Sequence, residues 1–346
     1  MTRTNFKTLT SGAKAPVFLQ RSYVRAEALT RLAGGFATAS GPVSLLLAFL
    51  LIGRVAAQAQ LPPPPVDDSF RYKVGVQLVL VPTSVTNTQG KAVNDLAQDV
   101  FEVYENGQAR PIRVFERSTS LPLRMALMVD SSLSTFGELE AEKKAISQFV
   151  RGALRPQDTA ALYEFSGGVR MLADFSNSAR TLEIGLSTIK VKAGTALYDA
   201  IVEASARLRE QEGRRVLVVI SDGNDTTSQA DFHAALRALQ EAEASVFALV
   251  VRPIASESGR SVRGEHALMS LAELTGGRVY FPSRAQEMDR VFAELDEFLR
   301  TQYLIGYEPA PPPVRAEFRE ISVRVKETDY TVRHRKGYFV EGTRRR

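Results

Sequence analysis

The chain has 346 residues, 44% apolar and 24% charged, with a formal net charge of +5 and no cysteine. Such a length suggests about two domains, and the composition excludes a disordered or fibrous chain. Disulfides and an acylated cysteine anchor are excluded outright. The positive charge does not point to a nucleic-acid partner: residues 1–59 hold seven basic residues and one acidic residue, leaving −1 on the rest. The basic clusters 333–336 and 344–346 read as solvated ends.

Residues 1–59 have the pattern of a signal peptide. Basic residues through Arg31 precede an apolar run at 43–52, and Ala57-Gln58-Ala59 supplies small residues for cleavage. The run is about ten residues long, where a spanning helix needs about 20. The expected location is therefore secreted or periplasmic, with an uncleaved membrane anchor as the alternative. Residues 60–71, with four consecutive prolines from Pro62, read as a stiff linker.

Residues 72–117 predict a small β-module. Val74, Val76, Leu78 and Leu80 alternate along one face, and Asn106-Gly107 between 101–105 and 111–115 signals a hairpin. From 123 to 300 strands and helices alternate. Strands are expected at 125–129, 159–165, 169–175, 215–220, 245–251 and 278–281. Helices are expected near 138–154, 179–189, 196–211, 229–242, 266–275 and 285–300. The short link Ser166-Gly167-Gly168 makes the second and third strands an antiparallel hairpin, and the remaining alternation predicts a mostly parallel, doubly wound sheet. Residues 302–342 return to strand patterning and are expected to complete the β-module as a sandwich, with the α/β domain inserted in it.

Three segments carry the chemistry. Asp130-Ser131-Ser132-Leu133-Ser134 follows the strand at 125–129, Gly194-Thr195-Ala196 opens a helix, and Ser221-Asp222-Gly223 ends the strand at 215–220. In an open α/β sheet ligands bind beyond the carboxyl ends of the strands, where Asp130 and Asp222 are expected. Carboxylates and hydroxyls are hard oxygen donors of the kind Mg²⁺ selects. Taken singly, each segment also reads as helix capping or a plain turn.

In this order the segments resemble the metal-ion-dependent adhesion site of von Willebrand factor type A domains, the exported bacterial type included, over about 123–300. Gly337-Tyr338-Phe339 resembles the chain end of such bacterial proteins. The resemblance implies a Rossmann-like fold and metal ligation by Asp130, Ser132, Ser134, Thr195 and Asp222. Mg²⁺ is the implied ion, with Mn²⁺ or Ca²⁺ as substitutes, and the open position would take an Asp or Glu carboxylate of a protein partner. Thr195 is implied to enter or leave the shell with conformation.

The function so implied is binding and adhesion, not catalysis. No G-x-S-x-G elbow or phosphate-binding glycine loop occurs, and His233, His266 and His334 lie far apart in sequence. The alternatives are a metal-dependent hydrolase and a structural subunit of an envelope assembly. Ser131 is expected to contribute only backbone, and Asn224 and Asp225 to shape their loop.

Overall fold

The computed structural model describes residues 78–117, 120–133, 139–251, 261–282, 287–326 and 329–342. The leader, the linker, Val74, Val76, Ser134 and Glu138 lie outside the described residues.

The centre is a six-stranded sheet in the order β10-β9-β8-β5-β6-β7. Its strands are β5 (Leu123–Asp130), β6 (Thr159–Phe165), β7 (Val169–Ser176), β8 (Arg214–Ser221), β9 (Ser245–Val250) and β10 (Arg278–Tyr280). All pairs are parallel except β6 with β7, the antiparallel edge that the short link predicts.

Side chains of a strand alternate between faces, and in β5 both faces are buried. Met125, Leu127 and Val129 enter one core with helices α1 (Leu139–Ala153), α2 (Ala179–Ser187) and α6 (Met288–Arg300). Ala126 and Met128 enter the other, with α3 (Leu197–Arg209), α4 (Phe232–Glu241) and α5 (Val262–Thr275). This is the mixed α/β class with helices on both faces. Because both faces are covered, β5 and β8 read in sequence as continuous apolar runs rather than as alternation.

Two antiparallel four-stranded sheets complete the fold. One has the order β13-β1-β11-β4, from β1 (Val79–Thr86), β4 (Ile112–Glu116), β11 (Tyr303–Tyr307) and β13 (Thr331–Arg333). The other has the order β14-β12-β2-β3, from β2 (Phe101–Glu105), β3 (Gln108–Arg110), β12 (Glu317–Val325) and β14 (Gly337–Val340). Both sheets contain strands from before and after the α/β segment. They share a core that includes Val81, Phe101, Val103, Tyr303, Tyr307 and Ile321.

Two sequence expectations change here. Leu80 is 36% exposed while Val79 and Val81 are buried, so the inward face of β1 is the odd-numbered set. Pro82 follows Leu80 on the outward set, and β13 pairs only with Ser84–Thr86, so no neighbouring strand on that edge needs the N–H that Pro82 lacks. The Asn106-Gly107 turn, with φ of 48° and 76°, does form a hairpin, but its second strand is Gln108–Arg110. At Pro111 the chain crosses to the other sheet, where Ile112–Glu116 pairs with β11.

Candidate metal centre

Three loops meet at the carboxyl ends of β5, β6 and β8, and each pair of them is tied by a hydrogen bond. Lys192 N donates to Ser131 O at 2.9 Å, joining the loop after β5 to the loop before α3. Thr195 N donates to Thr226 Oγ1 at 2.9 Å, joining the latter to the loop after β8. Ser221 Oγ donates to Asp130 Oδ2 at 2.6 Å, closing the triangle.

Asp130 is fully buried. Its Oδ1 accepts from Ser132 N at 2.9 Å, a local turn that turns the carboxylate back over its own loop. Burial pushes its pKa up to about 6; the hydrogen bonds from Ser221 and Ser132 oppose the rise, and the Asp222 carboxylate adds to it. The two acids are thus close enough to repel. Asp222 is 4% exposed. Its Oδ1 accepts from Asn224 N at 2.9 Å, while Oδ2 is buried and has no hydrogen-bond partner among the described residues.

Thr195 is buried and held by its backbone, its carbonyl accepting from Thr226 N and Thr227 N. It does not cap the helix it precedes: the N-cap of α3 is Ala196, with no side-chain capping bond. Ser132 is buried and bridges Lys192. Asp130, Ser132, Thr195 and Asp222 therefore lie on loops laced to one another, while Ser134 falls outside the described residues.

Sequence reasoning missed three participants. Ser221 orients Asp130, a contact that becomes visible only with the β5–β8 register, in which Val129 faces Ile220 and Ser221 falls beside Asp130 on the same sheet face. Ser131 does more than lend backbone, because its Oγ donates to Glu164 Oε1 at 2.9 Å. Glu164, 1% exposed, is ion-paired to Arg170 and Lys192. Its signal was a charged residue inside the apolar run 159–165. A histidine also lies near the carboxyl end of β8. His266 lines a cavity of about 510 Å³ together with Gly223, Asn224, Asp225, Tyr198 and Arg263. Asp225 shapes its loop, accepting from Tyr198 N and Ser228 Oγ.

A divalent ion fits this donor set. No group of three or more His, Asp or Glu side chains with metal-holding geometry occurs among the described residues. The loops offer two carboxylates plus hydroxyls instead. A buried carboxylate oxygen without a donor, next to a second carboxylate, is a costly arrangement unless a cation neutralises it.

Residues 125–224 match the family model described as the von Willebrand factor type A domain. That stretch of the α/β domain is similar to a von Willebrand factor type A domain. Solved structures similar to the chain include a von Willebrand factor type A protein from Catenulispora acidiphila, 13% identical, covering 79% of this chain and 76% of that one with a TM-score of 0.45. Another is an aerotolerance-related membrane protein from Bacteroides fragilis, 22% identical over 51% of this chain and 98% of that one, TM-score 0.41. A third is the von Willebrand factor domain of the type V pili tip protein Mfa5 from Porphyromonas gingivalis, 10% identical over 52% and 95%, TM-score 0.41. No curated protein matches the sequence. No helix among the described residues is long and apolar enough to cross a membrane.

Proposed function

We propose that the chain is an exported binding module, not an enzyme, that grips an acidic group of a protein partner through Mg²⁺. The observation that carries this reading is the buried, unpartnered Oδ2 of Asp222 beside the Asp130 carboxylate. Asp130, Ser132, Thr195 and Asp222 would hold the ion, with Ser134 from the same loop as Ser132. When bound, Mg²⁺ would supply an electrophilic position able to accept a carboxylate oxygen. The chain's own groups prepare the site. Ser132 N and Ser221 Oγ fix the two oxygens of Asp130. Asn224 N fixes one oxygen of Asp222 and leaves the other for the cation. Export is supported by the leader pattern.

Calorimetry with MgCl₂ on the full chain tests this. Saturable binding is expected, lost in Asp222→Ala while that variant keeps the wild-type unfolding midpoint or gains slightly. In an ion-free fold the cost of the unsatisfied buried Oδ2 offsets the one hydrogen bond that Oδ1 accepts from Asn224 N. Unchanged Mg²⁺ affinity in Asp222→Ala would refute the site. Capture of a partner from an envelope extract should depend on Mg²⁺ and disappear with chelator. Equal capture in both conditions would move recognition elsewhere on the surface.

A further inference from the structure

The loop before α3 carries Lys190 and Lys192 just ahead of Thr195. Its backbone joins Lys192 to the metal centre: Lys192 N donates to Ser131 O at 2.9 Å, and Lys192 forms a parallel bridge with Ser132. Bridged residues lie about 5 Å apart, so the Lys192 side chain starts one strand spacing from Ser132. Lys190 is exposed and makes no ion pair among the described residues.

A third cation comes from the edge strand. Arg170, near the start of β7, donates through Nε and Nη2 to Glu164 Oε2, and Lys192 Nζ lies 3.5 Å from Glu164 Oε1. The Glu164 side chain is 1% exposed, whereas those of Arg170 and Lys192 are 51% and 48% exposed. One buried carboxylate therefore stands behind two cations that solvent still reaches. Acids on the neighbouring elements do not cancel the excess. Glu140 pairs with Lys143, whose Nζ donates to Ile189 O, and Asp174 pairs with Arg207. Arg170, Lys190 and Lys192 less Glu164 leave a local charge of +2, in a chain that carries −1 beyond residue 59. A divalent ion would balance Asp130 and Asp222, so the excess persists with the metal centre filled. Leu133, next to Ser132 in the metal loop, is 66% exposed. It offers an apolar contact that a polypeptide can use and a small inorganic anion cannot.

We infer that Arg170, Lys190 and Lys192 form a cationic rim beside the metal centre that selects an acidic protein segment, one with further carboxylates beside the one that meets the ion. Complementary charge at a rim of this kind steers encounter and rejects wrong partners more than it adds raw affinity. Glu164 keeps Arg170 and Lys192 close to the metal loop and neutralises only part of their charge. The carboxylate on the ion rests on the Mg²⁺ reading above; the attraction of the rim for further acids does not.

The probes are two short capped peptides, one with three Asp and the other with two of those changed to Asn, titrated calorimetrically into the full chain with MgCl₂ at low ionic strength. The three-acid peptide is expected to bind about tenfold tighter, since each exposed ion pair is worth only a few-fold, and added salt should shrink that preference. In the double variant Lys190→Gln, Lys192→Gln the preference should fall to about twofold or less, because the remaining Arg170 is matched by Glu164. Mg²⁺ affinity should not fall in that variant, as it would if the lysines merely held the loop in shape. Lys190→Gln alone disturbs no ion pair and should lower the preference about threefold; it decides if the double variant does not fold. No binding of the three-acid peptide, equal binding of both peptides, or an undiminished preference in the variants overturns the inference. Sulfate that displaces the three-acid peptide at equal concentration would make the rim a plain anion patch and overturns it too. A wild-type chain that takes up no Mg²⁺ sinks the metal reading alone, and the peptide comparison still decides the rim.

Discussion

Two buried polar side chains make opposite demands on their surroundings. Ser221 spends its hydroxyl on Asp130 at 2.6 Å. Ser221→Ala should cost about 2 kcal/mol of unfolding free energy in denaturant titration, the usual scale for a buried hydrogen bond to a charged group. His334 is instead held neutral. Its Nε2 accepts from Val323 N at 3.1 Å, which leaves Nδ1–H to donate to Arg335 O at 2.7 Å. Burial chiefly, with Lys336 and Arg335 adding, lowers its pKa to about 4 from an ordinary 6.5. The unfolded chain therefore binds the proton first as pH falls. Stability from this residue is complete above about pH 6.5 and is lost progressively toward pH 4, on the order of 3 kcal/mol in all. His334→Gln should flatten that part of the pH–stability curve, and an unchanged slope would refute the assignment. The sequence made Asp130 and Asp222 visible because a carboxylate at the end of an apolar run has few other reasons to be there. It hid the Ser131–Glu164 pair, since that contact spans two strands and needs the register of β5 against β6 to be known.

Among the elements, the loop after β8 and the start of α5 are packed closer than side chains would permit. Gly223 has φ +82°, and a Cβ on it would lie 2.7 Å from Gly264 C; a Cβ on Gly264 would lie 2.0 Å from Gly223 O. Gly264→Ala must push the loop away from the helix, and Asp222 is the residue immediately before Gly223. A loss of 1–3 kcal/mol in stability is expected, about the cost of overpacking a tight contact. Weaker Mg²⁺ binding should accompany it, both measured on the same preparation. The same contact explains a misjudged helix start. Helix periodicity was expected from 266, but α5 begins at Val262, where Ser261 Oγ accepts from Gly264 N at 3.1 Å. A glycine inside the first turn argues against helix on propensity alone; here close packing decides. Strand limits were read more closely. The expected 159–165 is the observed β6, and the expected 215–220 differs from β8 by one residue at each end. Buried strands announce themselves by their runs of branched side chains. The partner of β2 was misread because Asn106-Gly107 fixes where the chain turns but not how long it stays, and Pro111 ends the pairing after Arg110.

For the molecule as a whole, one carboxylate joins the two smaller sheets. Glu105 ends β2 in one sheet and is 1% exposed. Its Oε2 accepts from Tyr338 Oη at 2.8 Å and from Tyr307 Oη at 3.0 Å, the latter on β11 of the other sheet. Oε1 accepts from Ala310 N at 2.8 Å and from the buried Arg319 at 3.4 Å. Glu105→Ala takes the acceptor from two buried phenols and from Ala310 N at once and leaves Arg319 with Glu317 and two carbonyls, and a loss of about 3 kcal/mol is expected from denaturant unfolding. Mg²⁺ affinity should stay at the wild-type value, because none of these groups touches the loops at Asp130 and Asp222. A matching fall in metal affinity would mean that the smaller sheets and the metal loops do not behave as separate parts.

The pairing of β1 with β11 has a mechanical meaning. Val79 lies opposite Tyr307, and Thr83 lies opposite Tyr303. The α/β domain joins β11 at the Tyr303 end, whereas the amino-terminal end of β1 is at Val79. A load between that end of β1 and a ligand held on the carboxyl face of the central sheet therefore pulls the two strands at opposite ends. The ladder between them is sheared, so its hydrogen bonds share the load and must fail together, not one at a time as in a zipper.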